Sequence, residues 1–456
     1  MKSVTRLSQC MIVKNEEKNI RRALSWGKDI VWEQIVVDTG SSDNTVEIAK
    51  EMGAKVFHYS WNDDFSAAKN FALEQAKGNW IAFLDADEYF SDGEAKKILP
   101  LLRKLDKDLS PALRAVALNC TMANLNDSGG VINIFPQCRI FRNIPELRYK
   151  NRIHESLSLS ADIKLTILDA TEDLTISHTG YAESVYEETG KIDRNISLLK
   201  RELEENPLNG DTWSYLADSL YVVNRFNEAE EACLKAIERE ESSFGKDRKR
   251  GDFTKLIKIK YRKNSGQEED IIAIYQEAKD FAGSSPDLEY WTGLWFYQRG
   301  EMQKAKRYLE QALNLLDQYK GDGKVAMVGV LAEVYQMLFG ICKMYGTPSD
   351  VIRYGVLSLR MNPYLFTVLM DMLLLLKQEP GEEETADATF GFLSKLYDLS
   401  SFKNKVFLIK VSEKVPYPAL EKQVYAMLSE VERESLSKVG DIFLISVRKI
   451  KIVMDS

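Results

Sequence analysis

Cysteine is scarce in this chain and carries no pattern. The five residues (Cys10, Cys120, Cys138, Cys233 and Cys342) are odd in number and far apart, and none forms a C-x-x-C pair. That speaks against a disulfide framework or a cysteine zinc site and fits a reducing compartment. Basic charge is not in excess either. Lys and Arg number 61 against 69 Asp and Glu, a formal net charge of −8, so no electrostatic footprint points to a nucleic-acid partner. Long apolar runs are missing too. The longest, residues 364–376, is interrupted by Asp371, whereas a bilayer-crossing helix needs about 20 apolar residues. Residues 1–8 lack the apolar core and small-residue cleavage site of a signal peptide. These absences predict a soluble, cytoplasmic chain with no transmembrane segment. The remainder is ordinary globular composition, 45% hydrophobic and 29% charged over 456 residues, enough for two or three domains with cores of their own.

Strand-like and helix-like patterns alternate through the first 120 residues. Apolar runs at 8–13, 34–37, 55–59 and 80–84 read as strands, and residues 19–26, 45–52 and 66–76 have helical spacing. The alternation predicts an α/β domain, a mostly parallel sheet flanked by helices on both faces. Two strands run into acidic residues, at Asp38 and at Asp85-Ala86-Asp87, and sheets of this kind bind ligands beyond the carboxyl ends of their strands. Short β segments come next at 115–120, 137–141, 157–159 and 174–178, and from 185 onward helical periodicity takes over. The predicted domains are 1–190, α/β, and 191–456, all-helical.

The helical half repeats itself. On a 34-residue helix-turn-helix template, residues 210–239 place Trp213, Leu216, Ala217, Leu220, Ala229 and Ala236 at the key positions, after Pro207. A second unit comes after Pro286, with Gly293, Phe296, Ala305, Leu309 and Ala312, and a third is visible in outline over 331–363. Small residues at fixed positions let two antiparallel helices approach closely. The aromatics Tyr290, Trp291, Trp295 and Tyr297 suit either a groove or a repeat core, and core is the simpler assignment.

Four motifs carry the chemistry of the first half. In Phe83-Leu84-Asp85-Ala86-Asp87-Glu88 an apolar strand delivers two carboxylates one residue apart. On an extended segment alternate side chains point the same way, so both can face one hard divalent cation that shares its oxygens with substrate phosphates. Alone, such a pair is as readily a solvated loop. In Ile35-Val36-Val37-Asp38-Thr39-Gly40-Ser41-Ser42-Asp43-Asn44-Thr45, Gly40 permits a tight turn and Asp43 or Thr45 can cap the next helix. A turn does not account for Asp38, which could equally be a strand-end carboxylate that hydrogen-bonds a base or ribose. Met11-Ile12-Val13-Lys14-Asn15-Glu16 is an opening strand that breaks into charge. Trp61-Asn62-Asp63-Asp64-Phe65-Ser66-Ala67-Ala68-Lys69-Asn70 puts a basic residue and an amide on the first turns of a helix, where an anion is favoured; the plain alternative is a surface helix start. Two of the three histidines fall in later segments, Lys150-Asn151-Arg152-Ile153-His154-Glu155 and Ile176-Ser177-His178-Thr179-Gly180-Tyr181.

Together, residues 5–95 resemble the family 2 glycosyltransferases of the GT-A fold, through the opening strand with Asn15, the V-D-x-G-S-x-D-x-T turn, the Ala-Lys-Asn helix and the D-x-D. Lys14 stands in place of the aromatic often found beside that asparagine, and the Glu-Asp motif that many members carry after the D-x-D is absent. The longer pattern, I-H-E and H-x-G-Y segments followed by tetratricopeptide-like helices, resembles a bacterial subgroup that includes bacteriocin-peptide S- and O-glycosyltransferases. The resemblance implies a nucleotide-sugar site made by Ile12, Lys14, Asn15, Asp38 at the base, Lys69, Asn70, and Asp85 at the ribose or metal. It implies Mg²⁺ or Mn²⁺ held by Asp87, His178 and Asp85, with Glu155 or His154 taking the acceptor's proton. It further implies inversion at the sugar, a UDP-linked hexose donor, and a Ser, Thr or Cys side chain of a peptide or protein as acceptor. The helical half would then recognise the acceptor on its concave surface, or form a homodimer. Two other functions fit the pattern: a glycosyltransferase of cell-surface polysaccharide or glycolipid synthesis, and a tetratricopeptide interaction protein with an inactive α/β domain. The intact Asp85-Ala86-Asp87 together with His154, Glu155 and His178 argues against the inactive form. The lack of a membrane segment favours the peptide acceptor.

Overall fold

A computed structural model of the chain describes residues 4–109, 115–159, 165–179, 191–239, 245–320, 325–377 and 382–438. Two compact units divide it, Met1–Phe244 and Gly245–Ser456.

The first unit is built on a nine-stranded sheet. Strands β1 (Leu7–Val13), β2 (Glu33–Asp38), β3 (Lys55–His58) and β4 (Trp80–Phe83) run parallel in the order β3-β2-β1-β4. Beyond β4 the order continues through β7 (Val131–Arg142), β6 (Val116–Leu125), β11 (Thr175–His178) and β5 (Glu88–Phe90), while β10 (Thr166–Asp169) lies parallel to β6. Within this sheet, among the described residues, five pairings are parallel and three antiparallel. The sheet is therefore mixed. Residues 115–141, expected as separate short segments, instead form one long β6–β7 hairpin whose second strand inserts beside β4. A separate hairpin pairs β8 (Leu147–Lys150) with β9 (Ser156–Leu159).

The strands are apolar on both faces because helices cover both. Along β4 and just beyond it, Trp80, Ala82 and Leu84 enter one core with Phe90, Ile98 and Leu102, while Ile81 and Phe83 enter the opposite core with Cys10, Val37 and Phe141. This is the two-residue alternation of a strand. The covering helices are α1 (Ile20–Ser25), α2 (Thr45–Glu51), α3 (Phe65–Gln75) and α4 (Asp92–Asp108). Trp80 is fully buried, and truncating such a residue costs about 3–5 kcal/mol, a large part of a domain's net stability.

Three helices of the tetratricopeptide-like half belong to this unit: α5 (Lys191–Glu205), α6 (Gly210–Val222) and α7 (Phe226–Glu238). The change to helical character expected near residue 190 falls at 180–190, outside the described residues. The compact unit runs further, to 244, because α5 is tied to the α/β part. Arg201 Nη1 donates to Asp63 Oδ2 at 3.0 Å, the Arg152 amide donates to Glu202 Oε2 at 3.0 Å, and Arg152 is ion-paired with Glu205. In the α6–α7 pair the template residues Leu216, Ala217, Leu220, Ala229 and Ala236 are all buried.

The second unit, in its described residues, is helical throughout. Its elements are α8 (Gly245–Arg262), α9 (Glu268–Ala282), α10 (Pro286–Gln298), α11 (Met302–Asp317), a short 3₁₀ turn (Ala326–Val330), α12 (Leu331–Tyr345), α13 (Pro348–Met361), α14 (Phe366–Leu376), α15 (Glu382–Leu393), α16 (Phe402–Lys414), α17 (Pro418–Ala426) and α18 (Glu430–Lys438). In the α10–α11 pair a Cβ on Gly293 would sit 3.0 Å from two carbons of Leu309, so the small residue sets the helix spacing. Tyr290 and Trp295 are buried and form repeat core. The run Ala326–Tyr345 is 20 residues long with a mean hydropathy of 1.4, enough by length and composition to cross a bilayer. In this unit it supplies Met327, Val334, Leu338, Phe339, Ile341 and Cys342 to the buried interior.

Candidate active site

A cavity of about 970 Å³ opens at the carboxyl rim of β1 and β4. Eight of the residues expected at the site line it: Ile12, Lys14, Lys69, Asp85, Asp87, His154, Glu155 and His178. They come from the ends of two parallel strands, from α3, from the loop between β8 and β9, and from the end of β11. Asn15, Asp38 and Asn70 are not part of the lining.

An ion network forms the floor, with the Lys69 side chain buried and the Asp85 side chain 40% exposed. Lys69 is 4% exposed, with its ammonium 5.3 Å from the ring centres of both Phe83 and Tyr149. It pairs with Glu155 and lies 3.6 Å from Asp85 Oδ1. Burial alone pushes an ammonium's pKa down, yet the Asp85 and Glu155 carboxylates hold Lys69 above its ordinary value. On the far side Arg139 makes a two-pronged contact with Glu88, Nε to Oε2 at 2.7 Å and Nη2 to Oε1 at 2.6 Å, and reaches Asp85 Oδ2 at 3.4 Å. Burial pushes Asp85 up, but Lys69 and Arg139 overcome it and hold the carboxyl below the usual carboxylate range.

The D-x-D was expected on an extended segment with both carboxylates turned to one cation. The structure has it otherwise. Strand β4 ends at Phe83, the chain then turns so that the Glu88 amide donates to the Asp85 carbonyl, and β5 begins at Glu88. In a turn the two-residue alternation no longer applies. Asp85 faces Lys69 and Arg139, and Asp87 faces His178, its Oδ2 3.3 Å from His178 Nε2. The His178 ring is oriented from behind. Asn124 uses its amide nitrogen on Asn133, so its Oδ1 accepts from His178 Nδ1 at 2.7 Å. That leaves Nε2 as the ring atom turned to Asp87. Burial disfavours the imidazolium, and the hydrogen bond and charge of Asp87 raise the histidine above its ordinary pKa. Gly180 and Tyr181 of the same motif lie outside the described residues.

Three expected ligand residues are occupied elsewhere. Asp38, 4% exposed, accepts from the Gly40 amide at 3.2 Å and the Ser41 amide at 3.0 Å, with His58 Nδ1 at 3.3 Å. Gly40 has φ +109°, which favours glycine. Asn15, at φ +57°, accepts from the Ser42 amide through Oδ1 and joins the β1 loop to that turn. Asn70 clamps α3 to β8, giving Nδ2 to the Tyr149 carbonyl and taking the Tyr149 amide on Oδ1. The first turn of α3, expected to receive an anion, is capped by the protein itself, Asp64 Oδ1 accepting from the Ala67 amide at 2.8 Å.

Sequence reasoning left Arg139, Glu88 and the helical contribution unassigned. An arginine inside the apolar run 137–141 was the available signal, since a buried guanidinium must have a carboxylate partner. From the helices, Arg194, Asn195 and Tyr215 join the cavity wall, and no local motif marks them. Among the described residues no group of three His, Cys, Asp or Glu side chains is placed to hold a metal ion by itself.

Residues 8–124 match the family described as Glycosyl transferase family 2. A TPR repeat-containing protein of Synechococcus elongatus is 34% identical over 242 residues, 52% of this chain and 56% of that one. The SPbeta prophage-derived glycosyltransferase SunS of Bacillus subtilis is 28% identical over 230 residues, 50% of this chain and 52% of that one. The chain thus spans about half the length of the curated relatives it matches. Among solved structures, S. aureus TarS 1-349 in complex with UDP-GlcNAc is 15% identical, covers 65% of this chain and 92% of that one, and gives a TM-score of 0.32.

Proposed function

We propose that this chain, a family 2 glycosyl transferase domain joined to tetratricopeptide-like helices, transfers a hexose from a nucleotide-sugar, with UDP as the carrier, to a nucleophilic side chain of a peptide or protein. The observation that carries the proposal is the convergence of Lys69, Asp85, Asp87, Glu155 and His178 on one cavity, at the strand ends where α/β sheets bind ligands.

The donor set fits a divalent cation shared with substrate. Asp87 and His178 offer one carboxylate and one ring nitrogen side by side, and Mg²⁺ commonly takes few protein ligands and completes its shell with phosphate oxygens and water. Asp87 and His178 would hold Mg²⁺ or Mn²⁺, which when bound neutralises charge on the departing diphosphate. Lys69 and Arg139 put fixed positive charge behind Asp85. The acceptor hydroxyl or thiol attacks the anomeric carbon, the bond from that carbon to the diphosphate oxygen breaks, and Glu155 takes the acceptor's proton, with His154 beside it. A cysteine thiol ionises near pH 8.5 and asks less of that base than a serine hydroxyl. Helical repeats are suited to extended peptide ligands, which supports a peptide acceptor. A second reading, transfer to a glycolipid or cell-surface polysaccharide, draws on the apolar residues of the lining, Met122, Phe135, Leu157, Leu165 and Ile167, which would suit the lipid of a lipid-linked acceptor.

The test is a thermal-shift panel of nucleotide-sugars with and without Mn²⁺, then donor turnover with peptide and lipid acceptors. A UDP-hexose that raises Tm only with the metal is expected, because ligands of the native state stabilise it. No shift with any nucleotide-sugar would remove the donor assignment.

A further inference from the structure

We infer that the first helical repeat is a working part of the catalytic cavity, and that Tyr215 on α6 is a positioning residue that holds the Asn151–Glu155 loop, and with it the Glu155 carboxylate, in place. The inference rests on the glycosyl-transfer reading of the site.

The loop between β8 and β9 is an unfavourable piece of backbone. Asn151 has φ +73° and His154 φ +53°, left-handed conformations that asparagine and histidine adopt more readily than most residues but still at a cost that surrounding contacts offset. The α/β part supplies some of that hold. Ser66 Oγ donates to the Asn151 carbonyl at 2.6 Å, and the Phe65 amide donates to the Arg152 carbonyl at 2.9 Å. The helices supply the rest. Glu202 on α5 accepts the Arg152 amide, Glu205 pairs with the Arg152 guanidinium, and the Tyr215 ring lies flat on the His154 ring, centroids 3.8 Å apart and planes 12° from parallel.

The next residue along the loop is Glu155, whose carboxylate meets Lys69 on the cavity floor. Tyr215 itself stands on a rigid base, because the neighbouring Leu216 and Ala217 are buried in the repeat core. The repeat therefore reaches the reacting centre through a stacked ring pair and a single peptide unit. Catalytic groups lose their effect when displaced by about 1 Å, at a cost near 10²-fold. Tetratricopeptide-like helices that only recruited an acceptor would not need a ring against the loop that carries the base.

The experiment uses the full chain with Tyr215→Ala, Tyr215→Phe and, as an independent cut of the same clamp on a half-exposed side chain, Glu202→Ala, which removes the acceptor of the Arg152 amide. Hydrogen exchange of the 150–156 amides is expected to accelerate in Tyr215→Ala and Glu202→Ala and to stay at the wild-type rate in Tyr215→Phe. The kcat for donor turnover should fall roughly ten- to a hundredfold in Tyr215→Ala, with the Kd for UDP-hexose unchanged and recovery in Tyr215→Phe. Wild-type exchange in both clamp variants would overturn the proposal, as would a rise in acceptor KM at unchanged kcat, which would make Tyr215 an acceptor contact. Should the wild-type protein bind no nucleotide-sugar at all, the enzymatic reading falls, while the exchange measurement still decides whether Tyr215 holds the loop.

Discussion

Two turns at the carboxyl rim of one sheet carry aspartates in similar strand contexts and use them in opposite ways. At the end of β2, Asp38 is buried and commits its oxygens to the Gly40 and Ser41 amides and His58. After β4, Asp85 and Asp87 turn outward, and their partners are side chains that themselves line the cavity, Lys69, Arg139 and His178. The difference lies in the residues just past each strand. The β2 turn contains a left-handed glycine and two backbone amides folded back within reach of the carboxylate, so the turn satisfies itself. The β4 turn is closed by a backbone hydrogen bond from Glu88 to Asp85, which leaves the side chains to find partners from β7, α3 and β11. An acidic residue at a strand end is thus left to face a cavity only when the local backbone does not consume it.

The largest effect is expected where the outward turn's network meets Glu155, the proposed base. Glu155→Gln should lower turnover roughly 10²–10⁴-fold, the range of a general base, with donor affinity changed far less; pre-steady-state and binding measurements on the same preparation check this. An unchanged rate would move the base role to His154. Asp87→Ala should lower turnover roughly 10²–10³-fold, as losing one electrostatic stabiliser of the transition state does, and should abolish the Mn²⁺ dependence of donor-induced thermal stabilisation. Near-normal turnover there would erase the contrast between the two turns.

The first half of the fold was legible because its strands are buried on both faces and announce themselves as apolar runs. Strands β1 to β4 and helices α1 to α3 lie within about two residues of where spacing put them. Helix α4 and strand β5 were missed, although Ser91 and Glu94 have the S-x-x-E spacing of a capping box and the Glu94 amide does donate to Ser91 Oγ. Eight of the residues lining the cavity could be named from motifs, but their pairings could not. Arg139 reaches Asp85 across 54 residues and His178 reaches Asp87 across 91, distances over which no local pattern speaks. The domain edge shows the same limit. A change of periodicity marks where helices begin, not which helices pack on the sheet, and the ties of α5 to Asp63 and Arg152 depend on folded geometry alone.

Smaller effects sharpen the inward side of the comparison. Asp38→Ala removes the acceptor of two turn amides and should cost about 1–3 kcal/mol of stability, seen as a lowered Tm, while donor affinity stays within about threefold. A large loss of donor affinity at unchanged Tm would return Asp38 to the nucleotide site.

Glu33, at the other end of β2, gives the purest case of a carboxylate used for structure. It accepts from Ser8 Oγ at 2.7 Å, from the Lys77 amide at 2.6 Å and from Lys55 Nζ at 2.7 Å, while its side chain is 3% exposed. Burial pushes its pKa up, but Lys55, the Lys77 amide and Ser8 together bring it below the ordinary 4.5. A group whose folded pKa is depressed contributes stability that is complete above its unfolded pKa and is lost as pH falls through the folded value. Glu33→Gln should therefore lower Tm at pH 7, for a cost of about 1–3 kcal/mol, and the gap between variant and wild type should close as the pH is taken below about 4. A gap that stays constant down that range would mean the variant loses hydrogen-bond geometry and packing that the amide cannot reproduce, and that charge at this end of β2 contributes nothing.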